Sequence, residues 1–235
     1  MQLPDDSVAE IIGTAGYDWV AVDLEHGRFS ERDLAPIFRA LALGKSLPFA
    51  RIGEITAYRI KSALESGAQG IILPMIESAE QLKAAIEWAH FPPRGRRGVG
   101  YSRANVFGKH FEQYRSSFTP FVVAQIEHVR AIENIDAILS VAGLDAVMIG
   151  PYDLSASMGL TGEFDHPHFQ STVARYIKSC HESGVVSGIH VVDPAVAKLR
   201  SALADGHRFI AYGTDATFLW RSAQRPNLDN HVSSE

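Results

Sequence analysis

Short runs of consecutive apolar residues recur along the chain, and each is followed by a longer stretch whose apolar positions repeat with a helical period. Strands that are buried on both faces of a parallel sheet have such unbroken apolar runs, because neither face meets water. The pattern therefore predicts seven parallel strands, at Asp18–Asp23, Leu47–Arg51, Gly70–Pro74, Phe121–Glu127, Asp145–Gly150, Val185–His190 and Arg208–Gly213.

The stretches between these runs predict amphipathic helices, because their apolar residues share one helical face. These helices are expected at Ser30–Leu43, Ile55–Ser66, Ser78–His90, Ala131–Val141, His168–Ser183 and Pro194–Asp205. Two shorter helices are expected at Ser7–Thr14 and Ala216–Ala223. The regular alternation of strand and helix, without a break in composition, predicts one domain over residues 1–235 with a flexible tail at 225–235.

Polar residues at the strand ends decide between the two architectures that this alternation permits. An open doubly wound sheet gathers its site at one crevice, whereas a (β/α)8 barrel draws site residues from strands all around its rim. Several different strands here end on, or just before, a polar residue: Asp23, Arg51, Glu127, Asp153 and His190. We therefore expect an α/β fold of the (β/α)8 TIM-barrel type, with a truncated first strand because only Gln2–Leu3 precedes the first helix.

Residues 90–120 interrupt the alternation after the fourth βα unit. This long segment is rich in Gly, Arg and aromatic residues and has neither the helical nor the strand period. Loops longer than about 15 residues are uncommon inside compact domains and usually have a function. We expect an active-site or interface loop at this position.

Composition excludes several classes of protein. Lys and Arg total 22 against 27 Asp and Glu, a net charge of −5, so the chain lacks the basic surface that nucleic acids require. The single cysteine, Cys180, excludes an intramolecular disulfide and a cysteine-based zinc cluster. No apolar run approaches the ~18 residues of a membrane span, and the N-terminus lacks the pattern of a signal peptide. We expect a cytoplasmic location, with neither nucleic acid nor membrane as a partner.

Two carboxylates form the first candidate site. Glu127 ends one predicted strand and Asp153 follows the next, so in a barrel both face the same mouth. Carboxylate oxygens suit a hard divalent ion such as Mg²⁺ or Mn²⁺. A general acid and base pair, as in glycosidases, is the alternative, and helix capping or simple exposure is a third interpretation.

A second candidate cluster, Asp23 to Gly27, directly follows a strand. His26 is able to accept a proton near pH 7, and Asp23, three residues earlier, is placed to orient its ring. Arg51 ends the next strand and offers a planar fork for a carboxylate or a keto-acid oxygen. The turn beginning Gly150–Asp153 presents backbone amides that suit an anion.

Other chemistries are disfavoured by what the strand ends lack. No lysine falls at a predicted strand end, whereas a Schiff-base mechanism needs a lysine in the dry mouth of the barrel. The glycine-rich stretch Gly95–Gly100 has the wrong spacing for a nucleotide-binding loop. His190–Pro194 and Tyr212–Ala216 lack the glycine-rich turn of a phosphate-binding barrel, so we expect a substrate without phosphate.

Taken together, seven segments resemble the HpcH/HpaI aldolase family, which comprises class II, metal-dependent pyruvate aldolases. The resemblance covers almost the whole chain in order, and the pairing of DLEHG with GPYDLS is specific. The segments are Gly16–Gly27, Ala50–Glu54, Gly70–Ser78, Gly95–Gly108, Ala124–His128, Gly150–Gly159 and Asp193–Asp215.

The resemblance implies a role for each residue of the two candidate clusters. Glu127 and Asp153 match the family's metal ligands. His26 matches its catalytic histidine, with Asp23 as the dyad partner, and Arg51 matches its pyruvate-binding arginine.

The resemblance also implies substrate contacts and an assembly. The backbone amides of Tyr152 and Asp153 would hold the pyruvate carboxylate, and Gln125 would lie beside the substrate. His190 stands where relatives often have an apolar residue in the aldehyde pocket. The implied assembly is a homohexamer, a trimer of dimers, in which a terminal helix, here Ala216–Ala223, is exchanged between neighbours.

The implied activity is cleavage or formation of 4-hydroxy-2-oxo acids, with a pyruvate enolate as nucleophile, an aldehyde as acceptor, and Mg²⁺, Mn²⁺ or Co²⁺ as the metal. Two alternatives stay open at this point. One is a related carbon–carbon lyase or an oxaloacetate-type decarboxylase that uses the same metal enolate. The other is a non-catalytic barrel.

Overall fold

The sheet is a single curled layer of seven parallel strands. A computed structural model describes residues 1–225, so the predicted tail, except for its first residue, lies outside the described residues. Each strand pairs with the next one along the chain. The strands are β1 (Trp19–Asp23), β2 (Leu47–Arg51), β3 (Gly70–Leu73), β4 (Phe121–Ile126), β5 (Ala146–Ile149), β6 (Val186–Val191) and β7 (Phe209–Tyr212).

Helices cover the outer face of this sheet. One predicted helix, Ala131–Val141, is divided at Asn134, whose side-chain amide donates to the Glu77 carbonyl oxygen. In residues 1–225, no helix is both long and apolar enough to cross a membrane. The helices are α1 (Asp6–Thr14), α2 (Glu31–Leu43), α3 (Ala57–Ser66), α4 (Ala79–Ala89), α5 (Phe111–Ser117), α6 (Val129–Glu133), α7 (Ile135–Leu139), α8 (Pro151–Ser157), α9 (Pro167–Ser183), α10 (Val196–Ala204) and α11 (Asp215–Ser222).

Two apolar layers lie on the two faces of the sheet. The larger layer joins the outward side chains of the strands to the helices. The smaller one fills the concave interior, where alternate residues of the strands point. Its buried members are Phe49, Ile72, Val123, Ala146, Met148 and Phe209. This inner layer fills the interior of the curled sheet below the carboxyl ends of the strands.

The closed eight-stranded barrel expected from the sequence is only partly formed. In the described residues β7 has no backbone ladder with β1, and the two edges meet instead through stacked Trp19 and Phe209 rings, 4.3 Å apart. The segment Met1–Leu3 lies at this seam. Asp23 N–H donates to the Met1 carbonyl at 3.0 Å, but on the other side the Gln2 amide donates to the carboxylate of Asp215. These few bonds leave Met1–Leu3 short of a strand that joins both edges.

Residues 90–120 lie at the opposite end of the barrel from the carboxyl ends of the strands. They connect the end of α4 to the start of β4, and they include a 3₁₀ turn, Arg103–Asn105, and α5. Arg103 Nη1 donates to the carbonyl of Ser66 at 2.7 Å, beside the start of the neighbouring strands. The segment therefore lies away from the strand carboxyl ends of its own chain. An active-site or interface loop at 90–120 stays a prediction.

Tyr176 provides a test of how α9 is locked to the sheet. Its fully buried hydroxyl lies 3.0 Å from the Val147 carbonyl and accepts from the Gly188 amide at 3.2 Å, between β5 and β6. Tyr176→Phe leaves these backbone groups unpaired and should lower the free energy of unfolding by ~1–3 kcal/mol, measured by urea denaturation. Tyr58→Phe, at a ring that is 66% exposed, is the matched control and should change little. Equal stabilities of the two variants would contradict this role.

Candidate active site

Strand alternation places a polar layer directly above the apolar interior. Successive inward positions are two residues apart, so Asp23 follows Ala21, Arg51 follows Phe49, and Gln125 follows Val123. On β6 the same periodicity carries His190 inward. The structure therefore brings the predicted residues of β1, β2, β4 and β6 to one mouth.

Arg51 and Asp23 form the central ion pair of this mouth. They are direct neighbours in the parallel register of β1 and β2. Arg51 Nε donates to Asp23 Oδ1 at 2.9 Å, and Nη2 donates to Oδ2 at 2.6 Å. Burial alone would raise the pKa of Asp23, but the hydrogen bond and charge of Arg51 outweigh it and the pKa lies below its ordinary value. Asp23 is therefore a permanent anion paired with a permanent cation.

The Asp23–His26 side-chain dyad expected from the sequence is not formed. Asp23 Oδ1 accepts from the backbone amides of Glu25 at 3.0 Å and His26 at 3.1 Å. In the described part of the chain the exposed His26 ring makes no hydrogen bond. The physical reason is that Arg51 already occupies both oxygens of Asp23. Asp23 thus orients the loop that carries His26, while the imidazole is left free.

Glu127 is a buried carboxylate whose two oxygens each accept one hydrogen bond. It is 3% exposed, accepts from the Met75 amide at 3.1 Å through Oε2, and accepts from Gln125 Nε2 at 2.6 Å through Oε1. Met75 itself has φ 50°, a left-handed conformation unusual for its type, which directs this amide. A Cβ at Gly150 would lie 2.4 Å from Glu127 Oε1, so only glycine leaves room for the carboxylate.

Asp153 comes from the adjacent strand end, in the first turn of α8, which the sequence pattern had not predicted as a helix. Pro151 starts this helix because proline suits a first helical position. Burial, aided by the charges of Glu25 and Asp153, raises the pKa of Glu127 to about 7. The two carboxylates therefore lie close enough to repel each other, and a cation between them would relieve that repulsion.

Four carboxylates share this mouth with one guanidinium: Asp23, Glu25, Glu127 and Asp153 against Arg51. Sequence reasoning did not assign a role to Glu25, whose Oε2 lies 3.0 Å from Arg51 Nη1. In the described residues no three His, Cys, Asp or Glu side chains converge as a metal cluster. The excess negative charge fits a divalent cation held by the carboxylates of Glu127 and Asp153, with substrate or water oxygens completing its shell.

A cavity of about 120 Å³ adjoins the mouth at the seam between β1 and β7. Asp23, Arg51 and His190 line its polar side, and Met148 and Tyr212 are among its other walls. His190 Nε2 lies 3.2 Å from the Gly213 carbonyl, and burial lowers the pKa of this imidazole. A neutral ring that donates through Nε2 keeps Nδ1 as an acceptor.

The sequence of the chain matches that of a known protein family. Residues 1–222 match the family model described as HpcH/HpaI aldolase/citrate lyase. The chain belongs to this family.

Two aldolases are similar to this chain over most of its length. A hydroxypyruvate/pyruvate aldolase of Roseobacter denitrificans is 38% identical over 223 residues, 93% of this chain and 86% of that protein. A 2-keto-3-deoxy-L-rhamnonate aldolase of Salmonella gallinarum is 39% identical over 220 residues, 92% of this chain and 81% of that protein. A crystal structure of a family protein from Burkholderia cenocepacia has a TM-score of 0.89 at 33% identity, covering 94% of this chain and 89% of that one.

The Arg51–Asp23 pair predicts a large stability effect. Asp23→Asn preserves the side-chain shape but leaves the largely buried guanidinium with a weaker partner, so the free energy of unfolding should fall by about 3 kcal/mol. The control is Asp193→Asn, which breaks exposed pairs with Lys198 and Arg221 and should have no measurable effect. Urea denaturation compares the two. An Asp23→Asn variant as stable as the control would refute a structural role for this pair.

Proposed function

We propose that this family member is a divalent-metal-dependent pyruvate aldolase. It would cleave or form 4-hydroxy-2-oxo acids, with pyruvate as the nucleophilic partner and an aldehyde as the acceptor. The observation that carries the proposal is the crowding of Glu127 and Asp153 beside Arg51 in one mouth. The similarity to proteins named hydroxypyruvate/pyruvate aldolase and 2-keto-3-deoxy-L-rhamnonate aldolase supports the same reaction class.

Glu127 and Asp153 would hold the metal, which we expect to be Mg²⁺, Mn²⁺ or Co²⁺. When bound, such an ion supplies Lewis-acid polarisation of the 2-oxo group. Glu127 is preset for this role, because Met75 and Gln125 fix both of its oxygens. Gln125 is a positioning residue in this scheme, and its own buried Oε1 has no partner in the described residues.

Arg51 and the start of α8 would bind the 2-oxo acid. Arg51 presents Nη1 towards the mouth while Asp23 holds its other two nitrogens. Negative charge that develops on the C2 oxygen during cleavage is stabilised by this fixed guanidinium. The first-turn amides of a helix have no intrahelical acceptor, so those of Tyr152 and Asp153 are suited to the substrate carboxylate.

His26 would be the general base. Its free ring is able to accept the proton of the C4 hydroxyl, directly or through one water, as the carbon–carbon bond breaks. Asp23 contributes by anchoring the His26 amide. His190, on the cavity side of the mouth, would contact the acceptor aldehyde.

We further propose a homohexamer, a trimer of dimers, in the cytoplasm. Exposed apolar side chains of residues 90–120 and of α11 support an assembly, since monomers rarely leave such groups in water. They are Val99, Tyr101, Val106, Phe107, Leu219 and Trp220. Phe218 of α11 packs on Tyr17 of its own chain, so exchange of this helix stays a prediction. We also propose that Met1–Leu3 represents the truncated first strand of a (β/α)8 barrel.

Metal binding should require both carboxylates and should depend on pH. Because the pKa of Glu127 is about 7, protons compete with the metal below neutrality, and the affinity for Mn²⁺ should fall about tenfold per pH unit below 7 and level off above it. Glu127→Gln and Asp153→Asn should each weaken binding at least ~100-fold. Titration calorimetry from pH 5.5 to 8.5 measures both effects. Wild-type affinity in either variant would contradict the proposed ligand pair.

Separate roles for His26 and Arg51 predict different patterns of loss. His26→Ala removes the base and should slow aldol cleavage by ~10²–10⁴-fold. It should retain part of the proton exchange at the pyruvate methyl group, because that step depends on stabilising the enolate. Arg51→Ala should lose both reactions. Pyruvate release and deuterium exchange by NMR measure them, and the same pattern in the two variants would refute the separation of roles.

A further inference from the structure

Glu25 is held beside Arg51 by the backbone around it. It lies in the loop between β1 and α2, where the Leu24 amide donates to the Arg51 carbonyl at 3.0 Å. A Cβ on Gly53 would lie 2.4 Å from the Leu24 carbonyl, so the turn after β2 packs directly on this loop. The Glu25 side chain is 18% exposed and therefore has little freedom to leave the mouth.

The two carboxylates on Arg51 bind it in different ways. Asp23 takes Nε and Nη2 in directed hydrogen bonds and also accepts two backbone amides. Glu25 Oε2 lies 3.0 Å from Nη1, yet this buried oxygen makes no hydrogen bond in the described residues. Asp23 is therefore a fixed clamp, whereas Glu25 neutralises Nη1 by charge without a directed bond.

The Asp23 clamp uses the Nε hydrogen and one Nη2 hydrogen of Arg51, so Nη1 is the nitrogen on which Asp23 leaves both hydrogens free for an anionic ligand. Glu25 is the present neighbour of Nη1. The charges of Asp153 and Glu127 interact with that of Glu25, so Glu25 adds to the negative potential that an incoming carboxylate must overcome. Since its own contact is undirected, Glu25 is the partner that Arg51 exchanges most readily.

We propose that Glu25 is a positioning residue that acts as a replaceable counter-ion, holding the Arg51 guanidinium in place and yielding Nη1 when a 2-oxo acid anion binds. This inference rests on the proposed function, because it takes the anion to be the 2-oxo acid of the aldol reaction. It predicts that Glu25 weakens substrate binding and leaves the turnover of bound substrate unchanged, a combination that a structural role alone does not produce.

The test compares pyruvate binding with turnover in Glu25→Gln, which removes the charge and keeps the shape. With the protein saturated by Mn²⁺, the Kd for pyruvate measured by calorimetry should fall about tenfold, equivalent to ~1.4 kcal/mol. The kcat for cleavage of a 4-hydroxy-2-oxo acid should stay within about twofold of the wild type, a shift of ~0.4 kcal/mol, because Glu25 has already left Nη1 once the anion is bound. Glu25→Ala is the second charge-removing variant, and either one that folds is sufficient.

Two variants separate charge from shape. Glu25→Asp keeps the charge and should bind pyruvate within about twofold of the wild type, a shift of ~0.4 kcal/mol. Glu54→Gln removes a carboxylate of the loop after β2 that is 70% exposed and pairs with Arg59 of α3, and it should leave the Kd unchanged. Unchanged or weaker pyruvate binding in Glu25→Gln, with normal binding by the wild type, overturns this inference alone. A wild-type protein that binds no pyruvate in the presence of Mn²⁺ overturns the proposed function, and the inference with it.

Discussion

The excess of negative charge at the barrel mouth is the constraint on which the arrangement of the candidate active site depends. Four carboxylates surround one guanidinium in a partly desolvated space, where unpaired charge is expensive. Arg51 is committed to Asp23, and Glu25 takes its remaining nitrogen. Burial, aided by the charges of Glu25 and Asp153, raises the pKa of Glu127. Glu127 and Asp153 have no ion-pair partner among residues 1–225, which leaves a deficit of positive charge. A divalent ion would remove it, and the rest of the proposed chemistry follows from that need.

The surroundings of Glu127 indicate that this deficit is built into the fold. Met75 adopts an uncommon backbone conformation to supply an amide, and Gln125 supplies a second donor from the same strand. Gly150 leaves the space that a Cβ would fill. A carboxylate with so many neighbours fixing its oxygens loses little further freedom when it binds a ligand, which favours a preorganised site.

The strands and the residues of the mouth were predictable from the sequence, because both follow from short-range periodicity. Unbroken apolar runs identified β1 to β7, and the polar residues that end them identified Asp23, Arg51 and His190. What failed depends on contacts between distant segments. The partner of Asp23 is set by the register of β1 against β2, so a spacing argument chose His26 where the structure has Arg51. The contact of Glu25 with Arg51 and the position of residues 90–120 likewise depend on how distant segments fold together. The same is true of the gap between β1 and β7, which Met1–Leu3 bridges with only a few backbone hydrogen bonds in the described residues.

Diffraction from crystals of the wild-type protein grown with Mn²⁺ and pyruvate tests the central claim most directly. The anomalous signal of manganese locates the ion without reference to activity. The account predicts one strong peak within bonding distance of the carboxylates of Glu127 and Asp153, with pyruvate beside Arg51. A peak held by Asp23 and Glu25, or no peak in the mouth at all, would contradict it.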